Sequence, residues 1–578
     1  VLKNINKIAL NAQNLKITKA EIKNNKLKNI SYNKKYQTAT FMFNNKIKGK
    51  INLYLEFNGK IREDLRGWYK SIYHVKDKEK IMLTTQFEAT DARKAFPCFD
   101  QPDMKAKFLL KLNIPKDLDA VSNMPIKKQS VKNNLKTFVF EETPLMSTYL
   151  LAFVIAELEY VEGKTKNNTK IRIYTTPGKK ERGKLALDVT IKSLEYYNNY
   201  FKIPYPLPKL DLIAIPDFES GAMENWGLVT YRETQLLFDK KNSSVGVKEA
   251  VVHTINHEVA HQWFGNLVTM KWWNDLWLNE GFASWIENKS TDKLFPEFDI
   301  WTQYLTDVKI SALYLDSLNN SHPIEVNVIN PAEINEIFDA ISYNKGSAII
   351  RMLEDYLGEE VFRNGLKYYL SKFKYGNATT DDLWGSLEKV SKKPVKKMMH
   401  SWTKQTGYPI ISASSNGKIK LRQERFFYLK KKDKTLWHVP LSVLENNKTK
   451  YYDMKSKNFE INNLTLINPG QIGFYRVNYD KKLFYKLINS DLDIINKIGM
   501  QNDFYALSRG CYVKVSEFLK LVKRFKNETN HALWDDLATN LGKIQLLFYE
   551  KYSEKLDKFF IDLFSQIYKK VGWDEKPN

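Results

Sequence analysis

The segment His257-Glu258-Val259-Ala260-His261 constrains the fold of this chain more than any other feature of its sequence. Four residues on an α-helix make slightly more than one turn, so both imidazoles project from one face. Two neutral imidazoles in this arrangement are typical ligands of Zn²⁺, and Glu258 places a carboxylate beside them. Because histidine accounts for only 8 of 578 residues, chance rarely produces this pattern here. The motif therefore predicts a helix that carries a metal site.

A second pair of histidines has the same spacing, because His253 lies four residues before His257. The neighbouring residue distinguishes the two pairs: Glu258 follows His257, whereas Thr254 follows His253. A hydrolytic metal site needs a carboxylate that accepts a proton from water. We therefore predict that His257 and His261 bind the metal, and we interpret His253 as a surface or packing residue.

A catalytic zinc takes three protein ligands and leaves one position for water, so a third ligand is expected. Glu280 is the candidate, since 18 residues separate it from His261, which suffices for a helix end, a loop and a second helix that returns to the metal. Glu287 lies two helical turns farther on the same face and is a candidate to orient a ligating histidine. The predicted site holds one Zn²⁺ between His257, His261 and Glu280.

The length of 578 residues is too great for one hydrophobic core and predicts about three or four domains. Hydrophobic residues make up 43% of the chain, which excludes a disordered or fibrous protein. The two cysteines, Cys98 and Cys511, provide no disulfide framework and indicate a reducing compartment, so we expect a cytoplasmic location. No apolar run approaches the length of about 18 residues that a membrane helix needs.

The chain is strongly basic, with a formal net charge of +24. The excess is spread thinly, and the densest run, Lys430 to Lys432, is followed by Asp433. No zinc finger or RNA-binding signature accompanies the charge, so we expect a solvated basic surface and no nucleic-acid partner.

The hydrophobic pattern changes along the chain. Short apolar stretches up to about residue 190, such as 50–56 and 107–113, predict strands, with turn-like pairs at Asn44-Asn45, Asn58-Gly59 and Pro177-Gly178. Helical periods follow, over 248–265, 276–292 and 346–357. A second β-rich stretch ends near residue 475, and amphipathic segments follow it, such as 515–525 and 544–559.

The segment 251–287 resembles the signature of the gluzincin aminopeptidase family, which includes puromycin-sensitive, tricorn-associated and endoplasmic-reticulum aminopeptidases and leukotriene hydrolase. The similar features are the histidine motif, the spacer of 18 residues and Trp277-Leu278-Asn279-Glu280-Gly281-Phe282-Ala283. The resemblance covers most of the chain, from about Ala9 to Tyr479. It implies a multi-domain α+β fold: an N-terminal β domain over 1–190, a thermolysin-like catalytic domain over 191–405, a small β-sandwich over 406–475 and an α-helical domain over 476–578.

The resemblance also implies the residues that hold a substrate. Gly221-Ala222-Met223-Glu224-Asn225 is similar to the exopeptidase motif of the family, in which the glutamate binds the free α-amine and the Gly-Ala backbone pairs with the substrate main chain. Thr85-Gln86-Phe87-Glu88-Ala89 is similar to a segment in which Glu88 is a second amine anchor and Gln86 lines the first side-chain pocket. A carboxylate held one residue length from the metal selects a chain end, because only a chain end carries an ammonium there.

A further segment, from Phe338 to Gly346, resembles the stretch that carries the catalytic tyrosine of the family and makes Tyr343 the donor to the oxyanion. The implied function is a zinc-dependent aminopeptidase that removes N-terminal residues from peptides by means of zinc-activated water, with Glu258 as general base. The alternatives are a leukotriene-hydrolase-like epoxide hydrolase and an inactive or partner-dependent peptide-binding protein. Glu88 disfavours the epoxide hydrolase, because that branch has an amide at this position.

The sequence departs from the family pattern at both ends. It enters in the middle of the N-terminal β domain, and only about 100 residues follow Tyr475, where the helical domain of the family is much larger. We therefore expect a fragment, a reduced form, or a second polypeptide that completes the helical domain. A smaller departure is Asn256, where relatives have a small residue.

Overall fold

The computed structural model describes residues 1–329, 334, 339–429 and 431–572. Phe338 of the tyrosine segment and Lys430 of the lysine run lie outside the described residues. The chain divides into two compact units. The first unit comprises Val1–Phe295, Asn327–Glu336 and Leu366–Ser386, and the second comprises Pro296–Val326, Ile337–Gly365 and Leu387–Asn578.

The first unit contains most of the strands. They are β1 (Ile5–Asn11), β2 (Lys16–Ile22), β3 (Leu27–Asn33), β4 (Thr38–Ile47), β5 (Leu53–Asn58), β6 (Gly67–Val75), β7 (Lys78–Gln86), β8 (Lys111–Pro115), β9 (Asp119–Ser122), β10 (Ile126–Lys132), β11 (Leu135–Phe140), β12 (Phe153–Ala156), β13 (Glu159–Lys164), β14 (Lys170–Thr175), β15 (Lys209–Ile215), β16 (Ala222–Met223), β17 (Leu228–Arg232), β18 (Thr269–Met270) and β19 (Asn377–Ala378).

These strands form small sheets at the N-terminus and one five-stranded sheet after them. The N-terminal sheets have the orders β1-β4-β3, β2-β5, β6-β7-β12-β9 and β10-β11-β8. The five-stranded sheet has the order β13-β14-β15-β17-β16. Its central strand β15 is buried throughout, as expected for a strand with a parallel neighbour on each side. Strand β16 lies at the edge and pairs antiparallel with β17.

The helices are α1 (Lys184–Phe201), α2 (Val245–His261), α3 (Trp277–Leu294), α4 (Ile300–Gln303), α5 (Ser311–Asp316), α6 (Gly346–Leu357), α7 (Glu359–Phe373), α8 (Thr380–Ser391), α9 (Val395–Thr403), α10 (Lys481–Leu487), α11 (Ile494–Arg509), α12 (Val515–Val522) and α13 (His531–Val571). Helices α1 to α3 belong to the first unit, and α4 to α6 and α9 to α13 belong to the second. Two π-helical segments, Tyr304–Ile310 and Ile341–Lys345, also lie in the second unit.

The second unit also carries two small sheets. Their strands are β20 (Pro409–Asn416), β21 (Lys418–Arg425), β22 (Val439–Glu445), β23 (Lys448–Met454), β24 (Asn458–Ile461), β25 (Leu466–Ile467) and β26 (Arg476–Tyr479). The orders are β24-β21-β20-β26 and β23-β22-β25. Helices α10 to α13 follow them, so the chain is a multi-domain α+β protein with a β-rich N-terminal region, a central mixed region and a helical C-terminal region, and the predicted fold class is confirmed.

The predicted domain limits remain predictions. Strands on both sides of residue 190 belong to one sheet, because β13 pairs with β14 and β14 pairs with β15. One turn prediction is wrong: Asn44-Asn45 lies inside β4. The Asn25 side chain binds both main-chain groups of Asn45, at 2.9 and 3.0 Å, and so holds it extended. Among the described residues, no helix has both the length and the apolar character that crossing a membrane requires.

Helices α2 and α3 form the helix–loop–helix that the motif spacing predicts; α3 is buried along most of its length and α2 from Val251 onward. The Ser244 side chain caps α2 by accepting a hydrogen bond from the Val247 amide. An aromatic cluster fixes the two helices against each other. The Phe282 ring of α3 stacks on Phe264, which follows α2, with centroids 4.6 Å apart.

We expect Phe282→Ala to destabilise the first unit by about 3–5 kcal/mol, because it removes a fully buried ring and leaves a cavity. Urea denaturation followed by tryptophan fluorescence measures this change. Leu546→Ala is the control, since Leu546 is 82% exposed, and it should change the free energy of unfolding by less than about 0.5 kcal/mol. Equal midpoints for the two variants would contradict the role of the aromatic cluster.

Candidate functional site

Three side chains from α2 and α3 converge at one point. The His257 Nε2 and His261 Nε2 atoms are 2.9 Å apart. The Glu280 Oε2 atom lies 3.3 Å from the His257 nitrogen and 3.5 Å from the His261 nitrogen. Bonds of 2.0–2.1 Å in a tetrahedral zinc site place ligand atoms about 3.3 Å apart. The spacing of the three atoms therefore fits one small metal ion.

The outer nitrogens of both rings bind acceptors. His257 Nδ1 lies 2.5 Å from Glu287 Oε2, and His261 Nδ1 lies 2.9 Å from the Phe264 carbonyl oxygen. These contacts place the proton of each neutral ring on Nδ1 and leave the lone pair on Nε2, as in metal-ligating histidines. Two lone pairs that face each other at 2.9 Å require a positive charge between them. The donor set thus fits Zn²⁺.

Positive charge is also favoured by the surroundings. Burial lowers the pKa of His261, but the carboxylates of Glu224 and Glu280 outweigh it and raise the value to about 9. Burial also lowers the pKa of His257, and the carboxylates of Glu287 and Glu280 raise it well above its usual value. The carboxylates around the two histidines therefore favour a positive charge at this point.

Three further carboxylates surround the metal-ligand cluster, from Glu88, Glu224 and Glu258. One oxygen of each is buried and has no hydrogen-bond partner within the part of the chain that the structure describes. Burial raises the pKa of Glu258 to about 8, although the positive charges of His257 and His261 lower it. Burial and the neighbouring acidic groups also raise the pKa of Glu88. Such a cluster is costly unless cations occupy it.

The predicted amine anchors lie beside Glu280, the third predicted metal ligand. Carboxylate oxygens of Glu88, Glu224 and Glu280 lie within 4.8 Å of one another. Glu224 Oε1 is 3.9 Å from His261 Nδ1. A cationic group held by Glu88 and Glu224 is consequently held next to the metal ligands.

The other predicted substrate residues lie on two strands. Gln86 ends β7, and its buried Oε1 has no hydrogen-bond partner among the described residues. Ala222 and Met223 form the edge strand β16, and Gly221 precedes it and accepts a main-chain hydrogen bond from Arg232 at 2.9 Å. The chain therefore presents Gly221 to Glu224 along one edge of the five-stranded sheet.

Tyr343 lies in the π-helical segment Ile341–Lys345 of the second unit, whereas the metal-ligand cluster lies in the first. Just before this segment, Asp339 Oδ1 accepts hydrogen bonds from the main-chain amides of Ile341 and Ser342 at 2.8 and 3.2 Å. Its role remains a prediction.

Two contacts were not anticipated from the sequence. His253 Nδ1 lies 3.8 Å from Glu287 Oε1, so this histidine adjoins the carboxylate behind His257 and is not an isolated surface residue. The buried Tyr149 hydroxyl accepts a hydrogen bond of 3.3 Å from Asn279, the residue before Glu280. The 32 tyrosines of the chain hide this one from sequence reasoning, because no pattern relates Tyr149 to the motif.

Comparisons with known proteins agree with this geometry. Residues 185–402 match the model of the peptidase family M1 domain, and residues 1–150 match the M1 N-terminal domain. Residues 464–578 match the ERAP1-like C-terminal domain.

Similar proteins are named aminopeptidases. The chain is 45% identical to aminopeptidase M1-C of Oryza sativa subsp. japonica over 548 residues, which cover 91% of this chain and 62% of that protein. It is 41% identical to the mitochondrial aminopeptidase 2 of Saccharomyces cerevisiae, over 99% of this chain and 62% of that protein. It is 40% identical to the alanine/arginine aminopeptidase of the same yeast, over 99% of this chain and 69% of that protein. The chain thus spans about two thirds of the length of these relatives.

Glu287→Ala should weaken zinc binding by about 10- to 100-fold, because it removes the acceptor that orients His257. Competition with a fluorescent zinc chelator measures the affinity. Asp292→Asn is the matched control on the same helix, since Asp292 lies outside the groups that surround the histidines. Unchanged zinc affinity in folded Glu287→Ala would contradict this role.

Proposed function

Because the chain belongs to peptidase family M1, we propose that it is a zinc-dependent aminopeptidase, which hydrolyses the first peptide bond of peptides with a free N-terminus. The observation that carries the proposal is the grouping of the Glu88 and Glu224 carboxylates with the metal-ligand carboxylate of Glu280. An endopeptidase does not require the buried carboxylates of Glu88 and Glu224 beside Glu280, whereas an exopeptidase needs such groups to bind the ammonium of a chain end.

One Zn²⁺ is held by His257, His261 and Glu280. When bound, the ion lowers the pKa of water and polarises a carbonyl group. Glu258 is the general base: it accepts a proton from the attacking water and passes it to the leaving amine. Its buried position directly after His257, with one oxygen that has no hydrogen-bond partner among the described residues, supports this double role.

Glu88 and Glu224 bind the substrate ammonium, and so the first peptide bond is placed at the metal site. The edge strand β16 supports this orientation, since β17 pairs with one side of it and the other side is left for the main chain of an extended peptide, which the resemblance places along Gly221 and Ala222. Met223 and Gln86 line the space for the first side chain. Glu88 favours this reaction over epoxide hydrolysis, in which the resemblance implies an amide at this position.

Tyr343 is proposed to donate a hydrogen bond to the oxyanion of the tetrahedral intermediate. A phenol suits this role because it stays protonated at neutral pH and donates in a fixed direction. The motif around Tyr343 and the hydrogen bonds from Asp339 to the segment that carries it support the assignment.

The proposed location is the cytoplasm. Cys98 is buried, Cys511 is exposed and both are free thiols, which suits a reducing compartment.

Turnover of fluorogenic amino-acid amides and their N-acetylated forms tests the proposal. We expect cleavage of the free-amine substrates alone, its loss on chelation and its return with added Zn²⁺. Glu224→Ala should lower kcat/KM by about 100-fold or more, because an ammonium then loses a buried charged partner. Glu219→Ala is the control, since this carboxylate precedes the same motif but its side chain is 48% exposed. Equal cleavage of acetylated substrates would contradict the amine anchors.

Tyr343→Phe should lower kcat by about 10²- to 10³-fold with little change in KM, since the lost hydrogen bond acts in the transition state. Steady-state kinetics at matched zinc content measures both constants. Tyr314→Phe is the control, because it removes the hydroxyl of a tyrosine that is 38% exposed. A variant with unchanged kcat would exclude Tyr343 from the reaction.

A further inference from the structure

We propose that Asn266, assisted by Gln262, is a positioning residue that holds the main chain of Glu224 at a set distance from the metal ligands. This inference rests on the proposed function, in which Glu224 binds the substrate ammonium. Asn266 Nδ2 donates a hydrogen bond of 2.8 Å to the Glu224 carbonyl oxygen. Asn266 is 0% exposed and Glu224 is 3% exposed, so water does not compete for this contact.

Gln262 makes a second link to the same carbonyl group. Its Nε2 lies 3.4 Å from the Glu224 oxygen and donates to the Glu258 carbonyl oxygen at 3.0 Å. One side-chain amide therefore contacts the main chain of both the proposed amine anchor and the proposed general base. Gln262 is also fully buried.

The turn that carries these two amides also orients a metal ligand. His261 is the last residue of α2, and its Nδ1 binds the Phe264 carbonyl oxygen at 2.9 Å. The main-chain N–H of Asn266 donates a hydrogen bond of 3.1 Å to the His261 carbonyl oxygen. The turn over residues 262–266 thus holds the imidazole of a metal ligand at one end and the main chain of Glu224 at the other.

Glu224 depends on such an external link. It follows a strand of only two residues, and its Oε1 has no hydrogen-bond partner among the described residues. The side chain of the next residue, Asn225, contacts Met223 and Thr230 and so supports the strand itself. The hydrogen bonds from Asn266 and Gln262 to the Glu224 carbonyl group therefore fix the position of Glu224 relative to the metal ligands.

This distance matters for exopeptidase specificity. The amine anchor has to lie one residue length from the metal, and a misplacement of about 1 Å in a bound substrate lowers the rate by about 100-fold. Asn266 touches neither the substrate nor the metal in this arrangement. Its loss should therefore reduce the preference for a free amine and leave binding at the metal itself almost unchanged.

Calorimetric titration with two zinc-binding ligands separates these effects. One is leucine hydroxamate, and the other is 4-methylpentanoyl hydroxamate, which lacks the amine. The dissociation constant of the amine-free ligand divided by that of leucine hydroxamate reports the strength of the amine anchor. In Asn266→Ala we expect this ratio to fall by about tenfold, because the Glu224 carbonyl group loses its shorter hydrogen bond and keeps only the longer one from Gln262. The dissociation constant of the amine-free ligand should stay within about twofold of the wild-type value.

Gln262→Met is a second variant, which tests the inference if Asn266→Ala does not fold. In this variant the ratio should fall by about threefold, because the hydrogen bond from Gln262 to the Glu224 carbonyl group is longer. Asn256→Ala is the matched control, since it removes an equally buried amide of α2 that binds Thr291, and it should keep the wild-type ratio. An unchanged ratio in folded, zinc-loaded variants would falsify the inference, as would equal weakening of both ligands. A wild-type protein with no preference for the amine would instead overturn the proposed function.

Discussion

The contacts at the outer nitrogens of His257 and His261 determine how the rest of the site works. A carboxylate behind one ring and a main-chain carbonyl group behind the other place both Nε2 lone pairs toward the same point. Glu280 approaches that point from the second helix. Without these two acceptors, the rings are free to change tautomer or rotate, and the motif alone does not define a metal site.

This arrangement concentrates carboxyl groups in a buried pocket. Glu88, Glu224 and Glu258 each leave an oxygen without a hydrogen-bond partner in the described structure, although burying a carboxylate is unfavourable. The aromatic packing of Phe282 and Phe264 and the buried faces of α2 and α3 offset this cost. In the proposed function, a metal ion and a substrate ammonium supply the missing partners of these carboxyl groups.

The proposed positioning role of Asn266 extends the same reasoning to specificity. The residues proposed for metal binding and for amine binding come from different elements, since His261 ends α2 and Glu224 follows the edge strand β16. A single turn that hydrogen-bonds to both converts two separate sites into one site with a defined length. Such a link sets the distance between Glu224 and the metal ligands, so it affects the preference for a free N-terminus and takes no direct part in the hydrolysis.

The sequence by itself determined the fold class and the helix–loop–helix, and it predicted the metal-ligand triad that these helices bring together, because these depend on residue type and on spacing along helices. It also identified Glu88 and Glu224 as candidates by their motifs. Only the tertiary structure decided that Asn44-Asn45 is extended, that His253 adjoins Glu287, and that Tyr149, Gln262 and Asn266 support the site. The physical reason is that each of these depends on hydrogen bonds between residues far apart in sequence or on different elements, and no local periodicity records which partners the fold brings together.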